Sequence, residues 1–152
     1  MKPVLFLRIA SMLTLIHAVA HTIGGVFGKP DPGPSTIAYA AMQANRFVVF
    51  GVERTYSQFY FGLGIGVSIA LALETVVFWQ LSSLAKQDAR RLRPMLWTFL
   101  ISFLALAVNS YLYFFLIPVI VETLIAACLG MAIFTAKPAA AASASVLDRA
   151  RA

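Results

Sequence analysis

Two histidines, His17 and His21, stand four residues apart in an apolar stretch near the start of the chain. That spacing sets both rings on one face of a helix, where they can share a metal ion or relay a proton. Three further polar side chains, Glu74, Asn109 and Glu122, interrupt long apolar runs. A carboxyl group beside an imidazole can do acid–base work on a lipid or a quinone. His17, His21 and Glu122 together would also form a zinc-type ligand set with positions left open. The simpler account is that these groups hydrogen-bond to one another and hold helices together. No second catalytic feature accompanies them, so no catalytic residue, cofactor or resident metal is assigned. Two haem ligands must approach from opposite faces of the macrocycle, which adjacent turns of one helix cannot do. The single cysteine, Cys128, lies in an apolar run and reads as a small packed hydrophobe. Gly62, Gly64 and Gly66 follow no strand, so they read as helix-packing residues and not as a nucleotide loop.

The elements that position these residues follow from composition. The chain of 152 residues is 61% hydrophobic and 12% charged, whereas a soluble domain carries roughly 25% charge. So few charges cannot cover a water-facing surface, and lipid is the expected solvent. The formal charge of +6 sits in short segments beside apolar runs, without the interleaved aromatics of a nucleic-acid site. A bilayer core about 30 Å thick takes roughly 20 apolar residues per helix. The runs predict an all-α, four-transmembrane-helix bundle within residues 1–137, with helices at about 4–27, 58–81, 95–113 and 118–136. The last two come from one stretch that would reach about 63 Å as a single helix, so it must fold back. Pro118 marks the restart, and the turn is expected between Ser110 and Ile117. A signal-like Ala18-Val19-Ala20 is set against Arg8, which interrupts the apolar region, and against Gly24 to Phe27, which continue it. Gly24 and Gly25 are expected to end the first helix.

Orientation follows from the basic residues. Lys2, Arg8, Lys86, Arg90, Arg91, Arg93, Lys137, Arg149 and Arg151 fall on one side of a four-span chain, and Lys29, Arg46 and Arg54 on the other. Nine against three places both termini in the cytoplasm of a multi-pass protein of the inner (plasma) membrane. The extracytoplasmic loop 28–57 opens with a proline-rich segment that cannot be helical. Ser35 or Thr36 is expected to cap a short helix running to Gln43, and Arg46 to Tyr56 reads as an apolar, aromatic cap on the bundle mouth. The Ala/Ser-rich residues 138–152 read as a disordered cytoplasmic tail.

Intramembrane polar groups normally face the bundle interior, and small residues mark packed faces. Gly62, Gly66 and Ala70 lead to Glu74; Thr98, Ser102 and Ala105 lead to Asn109; Glu122 leads to Ala126 and Gly130; Thr14, His17, His21 and Gly24 share a face. These rows predict an outward-facing polar cavity lined by His17, His21, Asn109 and Glu122 and rimmed by Tyr56 and Tyr60. Its occupant would be a small apolar or amphipathic molecule, such as a lipid or quinone, or a membrane partner; a second copy of the chain is an open possibility. Arg8 and Glu74 lie deeper, at similar depth, and are candidates for an ion pair or, for Arg8, for snorkelling to the headgroups.

Four segments, His21-Thr22-Ile23-Gly24-Gly25, Gly51-Val52-Glu53-Arg54-Thr55-Tyr56, Phe59-Tyr60-Phe61-Gly62-Leu63-Gly64 and Tyr113-Phe114-Phe115-Leu116-Ile117-Pro118, together resemble a family of small uncharacterised four-helix bacterial integral membrane proteins. The resemblance covers the first helix to the start of the fourth. It implies no activity, but it implies that His21, Arg54, Tyr56, Phe59 and Tyr60 belong to one region. A looser likeness to four-helix sterol-isomerase-like membrane proteins rests on architecture alone.

Overall fold

A computed structural model of the protein describes residues 2–136; the tail expected at 138–152 lies outside the described residues. The order of elements is α1 (Lys2–Ala20), a π-helical segment (His21–Val26), α2 (Pro34–Ala44), β1 (Arg46–Val49), β2 (Val52–Thr55), α3 (Tyr56–Asp88), a 3-10 turn (Ala89–Leu92), α4 (Arg93–Tyr113) and α5 (Leu116–Thr135). The protein is all-α apart from the small hairpin. Three helical stretches are long and apolar enough to cross a membrane: Lys2–Val26, Tyr56–Tyr113 and Leu116–Thr135, of which the second contains both α3 and α4.

The chain divides into two compact units, one made of residues up to Leu15 and from Glu74 onwards, the other of Ile16–Leu73. The first unit holds the core. Leu7 and Ala10 of α1, Phe78, Leu81 and Ala85 of α3, Leu96, Leu100 and Phe103 of α4, and Ile125, Leu129, Ala132 and Ile133 of α5 form one buried cluster. The Phe78 ring meets Phe99 edge-on at 5.0 Å and Phe103 at 5.8 Å. Ser11 Oγ donates to the Thr75 carbonyl at 2.8 Å and ties α1 to α3. Asp88 accepts from the Arg90 amide and pairs with Arg91 at 3.1 Å, and Pro94 in the first turn of α4 restarts the helix. The fold-back between α4 and α5 falls at Phe114 and Phe115, inside the expected interval, with Pro118 in the first turn of α5.

The second unit differs more from expectation. The first helix leaves α geometry at His21 and continues as a π-helix to Val26, so Gly24 and Gly25 lie inside a helical segment instead of ending one. Gly28 is where the backbone needs a missing side chain, because a Cβ there would collide with the Gly24 carbonyl. The short helix α2 is present, but Gly33, at φ 104°, precedes it and Pro34 opens it. Neither Ser35 nor Thr36 caps it; Thr36 Oγ1 donates back to the Asp31 carbonyl at 2.9 Å.

The segment read as an aromatic cap is an antiparallel β-hairpin with Arg46 opposite Thr55 and Val49 opposite Val52. Its two-residue turn, Phe50 and Gly51, has φ of 49° and 77°, the all-positive geometry that matches strand twist. The helix α3 then starts two residues before the expected Gln58 and runs on past Leu81 to Asp88. Its start is set by a reciprocal cap. Gln58 Oε1 accepts from the Thr55 amide at 3.0 Å, and Thr55 Oγ1 accepts from the Gln58 amide at 3.1 Å, the Thr-x-x-Gln form of a capping box.

Candidate functional site

The expected cavity residues divide between the units. His17, His21, Tyr56 and Tyr60 belong to one, and Asn109 and Glu122 to the other. Asn109 is exposed, and so are Thr98, Ser102 and Ala105 of the same row. The face of α4 that packs is Leu96, Leu100, Phe103, Ala107 and Ser110. The assignment of Asn109 to the bundle interior is thus corrected. Small residues mark a packed face only where a neighbour arrives, and here bulky Leu and Phe fill the contact. The same correction applies to Gly62, Gly66 and Ala70 on α3, which are exposed.

Glu122 follows expectation for burial, with 5% of its surface exposed, and on α5 it shares the buried face with Ala126 and Gly130. The polar side chain set beside it from α4 is Ser110, also buried. The Glu122 Oε2 atom is buried without a hydrogen-bond partner among the described residues. Ser110 was assigned to the turn by sequence. It continues the Phe103–Ala107 spacing, which is the signal that places it on the packed face.

The two histidines are half-buried. His21 Nε2 lies 3.1 Å from the Gly64 carbonyl of α3; a carbonyl only accepts, so Nε2 carries the proton. This contact needs a glycine-width approach, since a Cβ at Gly64 would come to 3.0 Å from Val26 Cγ2. Beside it, Thr22 Oγ1 meets Ser68 Oγ at 2.9 Å. His17 Nδ1 is buried with no hydrogen-bond partner among the described residues. Among the described residues no three His, Cys, Asp or Glu side chains gather to hold a metal.

Arg8 sets its guanidinium 5.3 Å from the centre of the Trp79 ring, a cation–π contact. Among the described residues the ion pairs are Arg46 with Glu53 and Arg91 with Asp88, so the candidate pair of Arg8 with Glu74 is replaced by the aromatic contact. Glu74 is half-buried.

A concave surface lies at the start of α3. A groove of about 470 Å³ is lined by Arg54, Gln58, Phe59, Gly62 and Leu63. A smaller pocket of about 160 Å³, lined by Arg46, Glu53, Arg54, Thr55 and Gln58, shares two of those walls. Four features of sequence build this place. The hairpin turn brings Arg46 back beside Glu53, at 3.3 Å. The capping box holds Gln58 at the mouth. Phe47 seats the hairpin on α3, with its ring 5.0 Å from Tyr56 and 5.6 Å from Phe59. Gly62 supplies no side chain, and nothing stands within 4 Å of where its Cβ would be.

Tyr56 and Tyr60, expected at the rim, are exposed. Tyr60 lies about 160° round the helix from Gly62, so it stands away from the groove, and Tyr56 serves as the seat for Phe47. Arg54 and Phe59 both line the groove. Gln58 was missed, although Thr55-Tyr56-Ser57-Gln58 carries the capping-box signature. No protein-family model, no curated protein and no solved structure matches this chain.

Proposed function

We propose that the protein is a four-span protein of the bacterial inner membrane, with both termini cytoplasmic, that binds an amphipathic ligand at the outward end of α3. Two observations support the topology. The long apolar helical stretches contain breaks at 89–92 and at Phe114–Phe115, and the basic residues outside α2, the hairpin and their flanks fall in the segments assigned to the cytoplasm. The observation that carries the binding reading is the adjoining polar pocket and apolar groove. Arg46, Glu53, Arg54 and Thr55 line one end and Phe59, Gly62 and Leu63 the other, with Arg54 and Gln58 common to both. A polar head and an apolar body fit that sequence of surfaces.

The test is thermal unfolding of detergent-purified protein with a neutral and an anionic amphiphile added. Stabilisation of the wild type, and its loss in Gly62→Leu, is the expected result. Equal stabilisation of both proteins would remove the groove as the site. Glu122→Gln should leave the ligand effect intact, because Glu122 is buried on α5 and lines neither the groove nor the pocket.

A further inference from the structure

The charge at the mouth of the groove selects the ligand more narrowly, provided that the amphiphile-binding reading holds. Arg46 is paired with Glu53 at 3.3 Å, so these two charges offset each other. Arg54 donates through Nη1 to the Glu53 backbone carbonyl at 2.7 Å and has no ion-pair partner among the described residues. The site therefore carries one uncompensated positive charge. Gln58 spends its Oε1 on the Thr55 amide, which leaves the side-chain –NH2 as a donor. A guanidinium and an amide –NH2 at one mouth offer the donors that a phosphate oxygen pair takes up, while the Glu53 carboxylate of the same lining is engaged through Oε2 by Arg46. Below them Phe59 and Leu63, both about half exposed, flank the open surface at Gly62, an apolar stretch against which an alkyl chain can lie.

We propose that the pocket and the groove together hold one anionic phospholipid of the leaflet that borders the start of α3, with its phosphodiester on Arg54 and Gln58 and an acyl chain along Gly62. A single negative charge matches the single uncompensated arginine. A zwitterionic lipid brings its own ammonium and loses that match.

Native mass spectrometry of the full chain, titrated with phosphatidylglycerol and phosphatidylethanolamine of equal chain length, tests the assignment. The wild type should retain one phosphatidylglycerol in preference to phosphatidylethanolamine. Arg54→Gln should reduce that preference about tenfold, equivalent to ~1.4 kcal/mol, while both lipids still bind. Gly62→Leu should weaken both. Retention of the preference in Arg54→Gln would overturn the headgroup assignment. Should that variant misfold, the wild type serves alone: the preference must fall as salt is raised, and a salt-independent preference overturns the proposal. Inorganic phosphate that displaces the lipid at low millimolar concentration would reassign the site to a free anion. A wild type without preference whose lipid binding is still lost in Gly62→Leu defeats the phosphate assignment alone. Undiminished binding in Gly62→Leu defeats the amphiphile reading with it.

Discussion

Ser110 and Glu122 are both buried on the packed faces of two apolar helices, α4 and α5, and the effect of removing them is asymmetric. Removing one partner strands the other in an apolar place, whereas removing both leaves nothing unsatisfied. Ser110→Ala should therefore destabilise the protein by about 1–2 kcal/mol, and Ser110→Ala combined with Glu122→Leu should recover most of that loss; thermal unfolding in detergent measures both. Phe78 is wholly buried and touches two other rings, so Phe78→Ala should cost about 3 kcal/mol or more on the same assay. The burial of Glu122 was legible in the sequence because it heads a row of small residues, Ala126 and Gly130, on α5. Asn109 ends a similar row on α4 and is exposed. In lipid both faces of a helix are apolar, so the contrast that locates a buried face in water is missing. Contact partners then decide, and on α4 they favour Leu100 and Phe103.

Among the elements, the hairpin and the start of α3 act as one piece. Phe47 holds the strands on the helix, and Thr55 is both the last strand residue and the helix cap. Thr55→Ala should weaken the start of α3 by about 1 kcal/mol. Gly51 sits at φ 77°, where a β-branched side chain is strained, so Gly51→Val should open the hairpin. Hydrogen exchange at the Phe47 and Arg54 amides, which face each other as a hydrogen-bonded pair of the ladder, rising in Gly51→Val and unchanged in the core of α5, reads that effect. The apolar helices were legible from the length of their apolar runs and, for the restart at α5, from Pro118. The hairpin was not, because its turn is Phe50-Gly51 rather than Asn-Gly, and its strands, Arg-Phe-Val-Val and Val-Glu-Arg-Thr, show no regular alternation. The π-helical segment at His21–Val26 leaves no periodic mark over its six residues.

At the scale of the whole molecule, the proposed four crossings predict that Ser35 and Asp88 lie on opposite sides of the membrane. With Cys128 replaced by alanine, S35C should react with an impermeant maleimide added outside intact cells, and D88C only after the membrane is opened. Reaction of both from one side would overturn the topology and, with it, the outward position of the lipid groove. The basic turn that sets this orientation follows a helix of 33 residues. At 1.5 Å per residue α3 is about 50 Å long, against a hydrocarbon layer of about 30 Å. Tilt can absorb part of that excess, and the remainder obliges the surrounding lipid to stretch or the last turns to stand clear of it. The protein should thus sense acyl-chain length: reconstituted with longer chains it should gain thermal stability, and with short chains it should lose it, as hydrophobic mismatch grows along α3.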